Sequence, residues 1–279
     1  MTKEYKKILT INDISCIGKC SITAIHPILS CAGFETIILP TSLLSNHTAY
    51  KDFSFLDLTD EMETIINKWN SFNVKFDSIL SGYLGSEKQI DLVLKTKDSF
   101  LKDDGLFIVD PVMGDNGKLY KGFSSNYPKL LSKLLKDADI ITPNITEACL
   151  MLDIPYKANF NDNEIDDIID KLTSLGAKRI VITGIIRGNK IGVVYKDNIT
   201  NEKGYFFTRK INKIFHGTGD VYTSALVGAY LNNHSLKDST KIAIDFTYKS
   251  ILEAVKLDLD PLGGLPFERK VKYYLSKIK

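Results

Sequence analysis

Hydrophobic residues fall into short β-branched runs that alternate with longer stretches where apolar positions recur at helical spacing. Residues 7–11, 36–40 and 78–82 read as strands, and residues 21–32, ended by Gly33, read as a helix. Asp60 with Glu63, and Ser86 with Gln89, have capping-box spacing and open the next two helices. Residues 106–112 are apolar almost throughout, as suits a strand covered on both faces. A helix over 127–135, a strand over 139–142, a helix opened by Asn161 and Glu164, and a strand over 179–183 continue the alternation. This β–α repetition predicts an α/β fold, with a mostly parallel sheet between helix layers.

The rhythm changes at residues 190–209, where two apolar runs flank polar turn residues and predict an antiparallel hairpin at a sheet edge. Helices return over 219–231, 236–255 and 267–278. No low-complexity linker interrupts the chain, so residues 1–279 are expected to form a single domain. In such sheets ligands bind beyond the carboxyl ends of the strands. The residues found there are small, polar or acidic: Asn12-Asp13, 41–48, Gly82-Tyr83, 110–115, 144–147, Gly184 and the turn at Gly217.

Composition narrows the partners. A chain of 279 residues, 44% apolar and 25% charged, has the balance of a soluble globular protein. Its 36 basic and 34 acidic residues are spread evenly, so no patch points to nucleic acid or a membrane surface. The apolar run at 8–11 is too short for a signal-peptide core or a membrane span. Cys16, Cys20, Cys31 and Cys149 match no zinc or Cys-x-x-Cys spacing, and predict reduced thiols in a cytoplasmic protein.

The candidate chemistry lies in three loops. Gly217-Thr218-Gly219-Asp220 precedes a run of helix length. Its glycines allow a tight turn, and a helix start offers free N–H donors and partial positive charge to phosphoryl oxygens. Asp220 at that end is placed to accept the proton of a substrate hydroxyl, although an aspartate capping an ordinary helix would look the same. Asp110-Pro111-Val112-Met113-Gly114-Asp115 supplies two carboxylates that suit Mg²⁺ held through water, or a solvated turn. Thr142-Pro143-Asn144-Ile145-Thr146-Glu147 sets polar atoms at a strand end, as a plain helix cap also would. There is no Walker A sequence and no Gly-x-Gly-x-x-Gly after the first strand, which argues against P-loop and dinucleotide-binding proteins.

Taken in order, these segments resemble the ribokinase superfamily. Ser45-Asn46-His47-Thr48, Gly82-Tyr83 and Ile11-Asn12-Asp13-Ile14-Ser15 narrow the resemblance to pyridoxal/pyridoxamine kinases, over residues 8–231. The resemblance implies a three-layer α/β/α ribokinase-like fold, ATP with Mg²⁺, a vitamin B6 substrate and a cytoplasmic homodimer. It implies that Asp220 activates the 5′-hydroxymethyl group and that Gly217, Thr218 and Gly219 form the anion hole. Asp110, Thr142, Asn144, Glu147, Thr183, Gly184 and Thr218 would line the nucleotide site, with Tyr120 covering it and Asp115 near the phosphates. Asp110, Asp115 and Glu147 would serve the metal. Ser45, His47, Thr48 and Tyr83 would line the pyridine pocket. Asp13 stands where some members have a serine, which leaves the pyridine contact open between Asp13 and Ser15. The nearest rival is a hydroxymethylpyrimidine kinase of thiamine synthesis, whose members usually carry a cysteine in place of Asp220 and a glycine-rich loop after the first strand. A non-catalytic B6-binding protein would have lost the base or the anion hole, and both are present.

Overall fold

The computed structural model describes residues 5–279, so the first four residues of the expected domain lie outside the description. In chain order the strands are β1 (Lys7–Ser15), β2 (Glu35–Leu44), β3 (Phe55–Asp57), β4 (Phe76–Ser81), β5 (Leu101–Val109), β6 (Gly114–Asp115), β7 (Lys118–Leu119), β8 (Ile140–Ile141), β9 (Arg179–Arg187), β10 (Lys190–Asp197) and β11 (Lys203–Arg209). The helices are α1 (Ile22–Cys31), α2 (Thr59–Trp69), α3 (Glu87–Phe100), α4 (Tyr127–Leu131), α5 (Ile145–Met151), α6 (Asp162–Ser174), α7 (Thr218–Leu231), α8 (Leu236–Lys256) and α9 (Val271–Ile278). Among the described residues no helix is long and apolar enough to cross a membrane.

The main sheet runs β11-β10-β9-β8-β5-β4-β1-β2-β3. Its centre is parallel, β10 and β11 form the expected antiparallel hairpin at one edge, and β3 pairs antiparallel to β2 at the other. Successive side chains on a strand point to opposite faces. Leu9, Ile79, Phe107, Ile141 and Ile180 therefore pack with the helices α2 to α6 on one face. Ile8, Leu80, Ile108, Ile140 and Val181 pack with α1, α7, α8 and α9 on the other. Two covered faces explain why the central strands read as unbroken apolar runs. The chain leaves β1 for β2 on one side and returns to β4 on the other, so strand order reverses at β1, where open α/β sheets bind ligands.

Several expectations shift in detail. Most strands run longer than their apolar runs, because the ladder continues past them, to Ser15 in β1 and Leu44 in β2. The capping box expected from Asp60 and Glu63 does not form. α2 starts at Thr59, whose N–H donates to Asp57 Oδ1 at 2.7 Å, while Asp60 and Glu63 both pair with Lys88. Ser86 does cap α3 by accepting from the Gln89 amide, but the Gln89 side chain turns away to Gly85 and Thr41. The Asn161–Glu164 box forms in full at α6. Asn161→Ala is expected to lower unfolding free energy by about 1 kcal/mol, read from urea denaturation, with turnover retained because the cap lies away from the strand-end loops that carry the candidate chemistry.

Candidate active site

The site is built where four strand ends and two helix starts meet. At the end of β1, Asn12 Oδ1 accepts from the Tyr83 amide at 2.9 Å and from the Asp13 amide at 3.0 Å, tying β1 to the end of β4. Asp13 is buried, and its Oδ2 accepts from Ser15 Oγ at 2.8 Å. Burial pushes the Asp13 carboxyl above its usual range, and hydrogen bonds from the Ser21 and Ser15 side chains oppose that rise. Tyr83 borders the same space; burial, with Asp13 and Asp57 nearby, raises its phenol to about 12.

After β5, Asp110 is buried, with Thr223 Oγ1 donating to its Oδ2 at 2.9 Å and lying 3.2 Å from Thr142 Oγ1. Burial pushes Asp110 up to about 7. Asn144 and Glu147 form a capping box at α5 whose acidic member does more than cap. Glu147 Oε2 accepts from the Asn144 amide at 2.8 Å and Oε1 from the Met113 amide at 3.1 Å, while Asn144 Nδ2 donates to the Gly114 carbonyl at 2.8 Å. These bonds clamp the loop after β5 onto α5. Glu147 is held well above the carboxylate range by burial and by Asp110. Thr183 joins the group through its amide, which donates to Pro143 at 2.9 Å, and Gly184 adds an extra residue to β9 opposite β10.

The loop after β5 contains the hairpin β6–β7, whose turn Asn116-Gly117 has positive φ at both residues, 51° and 75°, as a two-residue I′ turn needs. It carries Asp115 and leads to Tyr120. Burial of the hydroxyl and the charges of Glu147, Asp115, Asp220 and Asp110 raise the Tyr120 phenol, although the residue is 43% exposed.

Gly217 ends the approach to α7 in the left-handed conformation, φ 72°. A Cβ there would lie 2.2 Å from the Lys19 carbonyl oxygen, so the turn can sit against residues 18–21 only as glycine. Thr218 Oγ1 donates to the Phe215 carbonyl at 2.7 Å, and Val221 is the first residue to bond back, to Gly217. The amides of Thr218 and Gly219 therefore stand at the helix start without an intrahelical acceptor. Gly219 has open space where its Cβ would be. The Asp220 carboxyl is raised to about 7, first by burial, then by Asp110 and Asp13, against hydrogen bonds from the Ser21 amide and its own. Among the described residues the shifts of Asp110, Glu147 and Asp220 come from burial, acidic neighbours and neutral hydrogen-bond donors, with no lysine or arginine.

Asp13, Asp110, Asp115, Tyr120, Glu147 and Asp220 thus share one electrostatic centre. Among the described residues no group of three His, Cys, Asp or Glu side chains is disposed to hold a metal directly, so Asp110, Asp115 and Glu147 do not form a closed ligand set. His47 is buried with both ring nitrogens engaged: Nε2 lies 2.8 Å from the Leu262 carbonyl, and Nδ1 accepts from the Ala49 amide at 3.3 Å. Its ring lies 4.8 Å from that of His216, whose imidazole is lowered by burial and by His47. Ser45 and Thr48 are exposed on the loop between β2 and β3, where Ser45 Oγ accepts from the Ser54 amide. The sequence singles out Asn12 at a strand end but gives it no role, and it carries no signal for Thr223.

The family model for phosphomethylpyrimidine kinase matches residues 58–260. A Dictyostelium discoideum pyridoxal kinase is 28% identical, covering 96% of this chain and 91% of its own. A Bacteroides thetaiotaomicron protein, provisionally assigned as a phosphomethylpyrimidine kinase and crystallised with pyridoxal, superposes with TM-score 0.94 at 37% identity, covering 97% and 96% of the two chains. The pyridoxal kinase of Lactobacillus plantarum gives TM-score 0.90 at 27% identity over 98% of both chains. The ribokinase-like fold expected above is the fold of these neighbours. A match over most of its length, on a site with this turn and these carboxylates, makes the chain a member of the phosphomethylpyrimidine kinase family.

Proposed function

We propose that the protein transfers the γ-phosphoryl group of ATP to the 5′-hydroxymethyl group of a vitamin B6 vitamer. The observation that carries this reading is a raised carboxyl, Asp220, on the same helix turn as the free amides of Thr218 and Gly219. The vitamer hydroxyl oxygen attacks the γ-phosphorus in line. Its proton passes to Asp220, and the bond to the oxygen bridging the β- and γ-phosphates breaks to release ADP. A base near pH 7 suits this transfer, because it is ionised under working conditions yet basic enough to take the proton. The transition state is loose, so the amides of Gly217, Thr218 and Gly219 and the positioning of both substrates carry most of the acceleration.

Asp110 and Glu147 are two buried acids with no basic side chain acting on them among the described residues, and a divalent cation fits that deficit of positive charge. Asp110 and Asp115 would hold Mg²⁺ largely through water, with Glu147 anchoring the loop, and the ion would neutralise charge on the phosphates. Thr142, Asn144, Thr183 and Gly184 line the nucleotide side, and Tyr120 covers it. Tyr83 offers an aromatic face to the pyridine, Asp13 and Ser15 compete for its polar edge, and Ser45, His47 and Thr48 border it from the β2–β3 loop. We take the protein to be cytoplasmic, a single domain and a homodimer.

A second reading, a hydroxymethylpyrimidine kinase, is favoured by the family description and by the provisional assignment of the Bacteroides protein. The pyridoxal in that crystal and the pyridoxal kinases aligned over almost the whole chain favour the first. Purified protein with Mg·ATP and pyridoxal, pyridoxamine, pyridoxine or hydroxymethylpyrimidine decides between them by direct measurement of phosphorylated product. Product from the pyrimidine alone would reverse the assignment.

A further inference from the structure

The short turn at residues 260–264, after α8, holds two loops of the site that are far apart in sequence. It is closed on itself: Asp260 Oδ1 accepts from the Leu262 amide at 3.0 Å, and the Asp260 carbonyl accepts from the Gly263 amide at 3.0 Å. The Pro261 carbonyl accepts from the His216 amide at 3.3 Å. The Leu262 carbonyl lies 2.8 Å from His47 Nε2 and accepts from the Tyr50 hydroxyl at 3.3 Å. His216 immediately precedes Gly217, whereas His47 and Tyr50 belong to the loop between β2 and β3. Two adjacent carbonyls thus anchor both the start of α7 and the loop assigned to the vitamer.

His47 is the side chain that joins these parts. The Ala49 amide donates to its Nδ1 at 3.3 Å, so the ring proton sits on Nε2 and is given to the Leu262 carbonyl. A neutral imidazole has one donor and one acceptor, and both are used within the protein. The ring lies 4.8 Å from those of Tyr50 and His216, and a Cβ on Gly18 would fall 2.0 Å from its Cδ2. The His47 backbone amide donates to the Ile17 carbonyl at 3.4 Å. From this geometry we infer that His47 is a positioning residue that pins the β2–β3 loop to the 260–264 turn. Because the same turn anchors His216, the pin fixes the spacing between the vitamer wall and the anion turn. The inference rests on the kinase reading above and changes the part of His47, which shapes the pyridine pocket without hydrogen-bonding the vitamer.

The test compares His47→Asn, His47→Gln and Asp260→Ala in steady-state assays with pyridoxal and ATP, with kcat and KM taken separately. Asparagine is too short to reach Leu262. Its kcat is expected to fall ~10- to 100-fold and its vitamer KM to rise, since a displacement of about 1 Å can cost that much. Glutamine sets an amide N–H near the place of Nε2 and recovers most of that loss. Asp260 is exposed and bonds only its own turn, so Asp260→Ala loosens the anchor from behind. It lowers kcat several-fold and adds little to His47→Asn, because the two act as one unit. A glutamine variant as slow as the asparagine one, or an asparagine variant with raised vitamer KM and unchanged kcat, would overturn the inference. Hydrogen exchange on the protein without substrates gives a readout independent of turnover. The Ala49 amide, whose acceptor is the His47 ring, is expected to exchange at least ~10-fold more slowly in the unaltered protein than in His47→Asn. An Ala49 amide as fast as that of an unstructured peptide in the unaltered protein overturns the pin, whether or not the variants fold. Absent turnover with every vitamer overturns only the kinase reading.

Discussion

Asp220→Asn is expected to lower kcat by about 10²–10⁴-fold, the usual contribution of a positioned general base, with ATP affinity changed only a few-fold. The amide keeps the size and hydrogen-bonding reach of the carboxyl, so the start of α7 and the amides of Thr218 and Gly219 stay in place. What is lost is a group able to take the proton. The pH profile gives the same result a second signature. Burial first, then Asp110 and Asp13, raise Asp220 to about 7, so the unaltered enzyme should lose kcat/KM as pH falls through 7 and plateau above it. Steady-state profiles of the Asn variant should lack that limb. A variant with near-normal turnover would remove Asp220 from the mechanism.

The same substitution should act in the opposite direction on stability. The folded pKa of Asp220 lies above its unfolded value of 3.8, so the folded state binds the proton more tightly. Its carboxyl therefore adds no penalty below about pH 4, and a growing one as pH rises towards 7. Asp220→Asn removes the buried charge, and its melting temperature should exceed that of the unaltered protein at pH 8 by ~2–4 °C, a difference that disappears near pH 4. Gain of stability with loss of turnover is the pattern of a group placed for chemistry at the expense of folding.

What could be read from the sequence follows from the range of the forces involved. The central strands were legible because both of their faces are covered, which makes residues such as Phe107, Ile108 and Val109 apolar without interruption. The edge hairpin and the cap at Asn161 were legible because alternation and capping are set within a few residues. β3 was not, since its Phe55, Leu56 and Asp57 are all exposed and too few to show a period. The short hairpin β6–β7 was missed although Asn116-Gly117 is its local signal, because two-residue strands leave no pattern. At the site, the turn at Gly217 and the loop after β5 announced themselves through glycine and acidic residues. The bonds that organise them did not. Thr223 reaches Asp110 across 113 residues, and His47 reaches Leu262 across 215. Nor does a serine in sequence reveal the positive φ of Ser21.

Gly217→Ala should be a strongly damaging single-methyl change. The added Cβ meets backbone rather than a movable side chain: the Lys19 carbonyl oxygen at 2.2 Å, with Cys20 Cα and Lys19 C at 3.2 Å. Positive φ at 72° adds strain of ~1 kcal/mol or more for any residue with a Cβ. Relief requires the start of α7 to move away from Lys19 and Cys20, which shifts the amides of Thr218 and Gly219 and the carboxyl of Asp220 together. Loss of one oxyanion donor alone costs roughly 10²–10³-fold in kcat, and here donors and base shift together, so kcat should fall by at least ~10³-fold while the melting temperature drops. Gly219→Ala separates the two causes. Its Cβ meets nothing within 4 Å and its φ is not positive, and alanine is the better helix former by ~1 kcal/mol, so this variant should fold at least as well. If Gly219→Ala nevertheless binds ATP weakly, the methyl is occupying space that the phosphates need. If Gly217→Ala melts and turns over like the unaltered protein, the start of α7 is not the anion site.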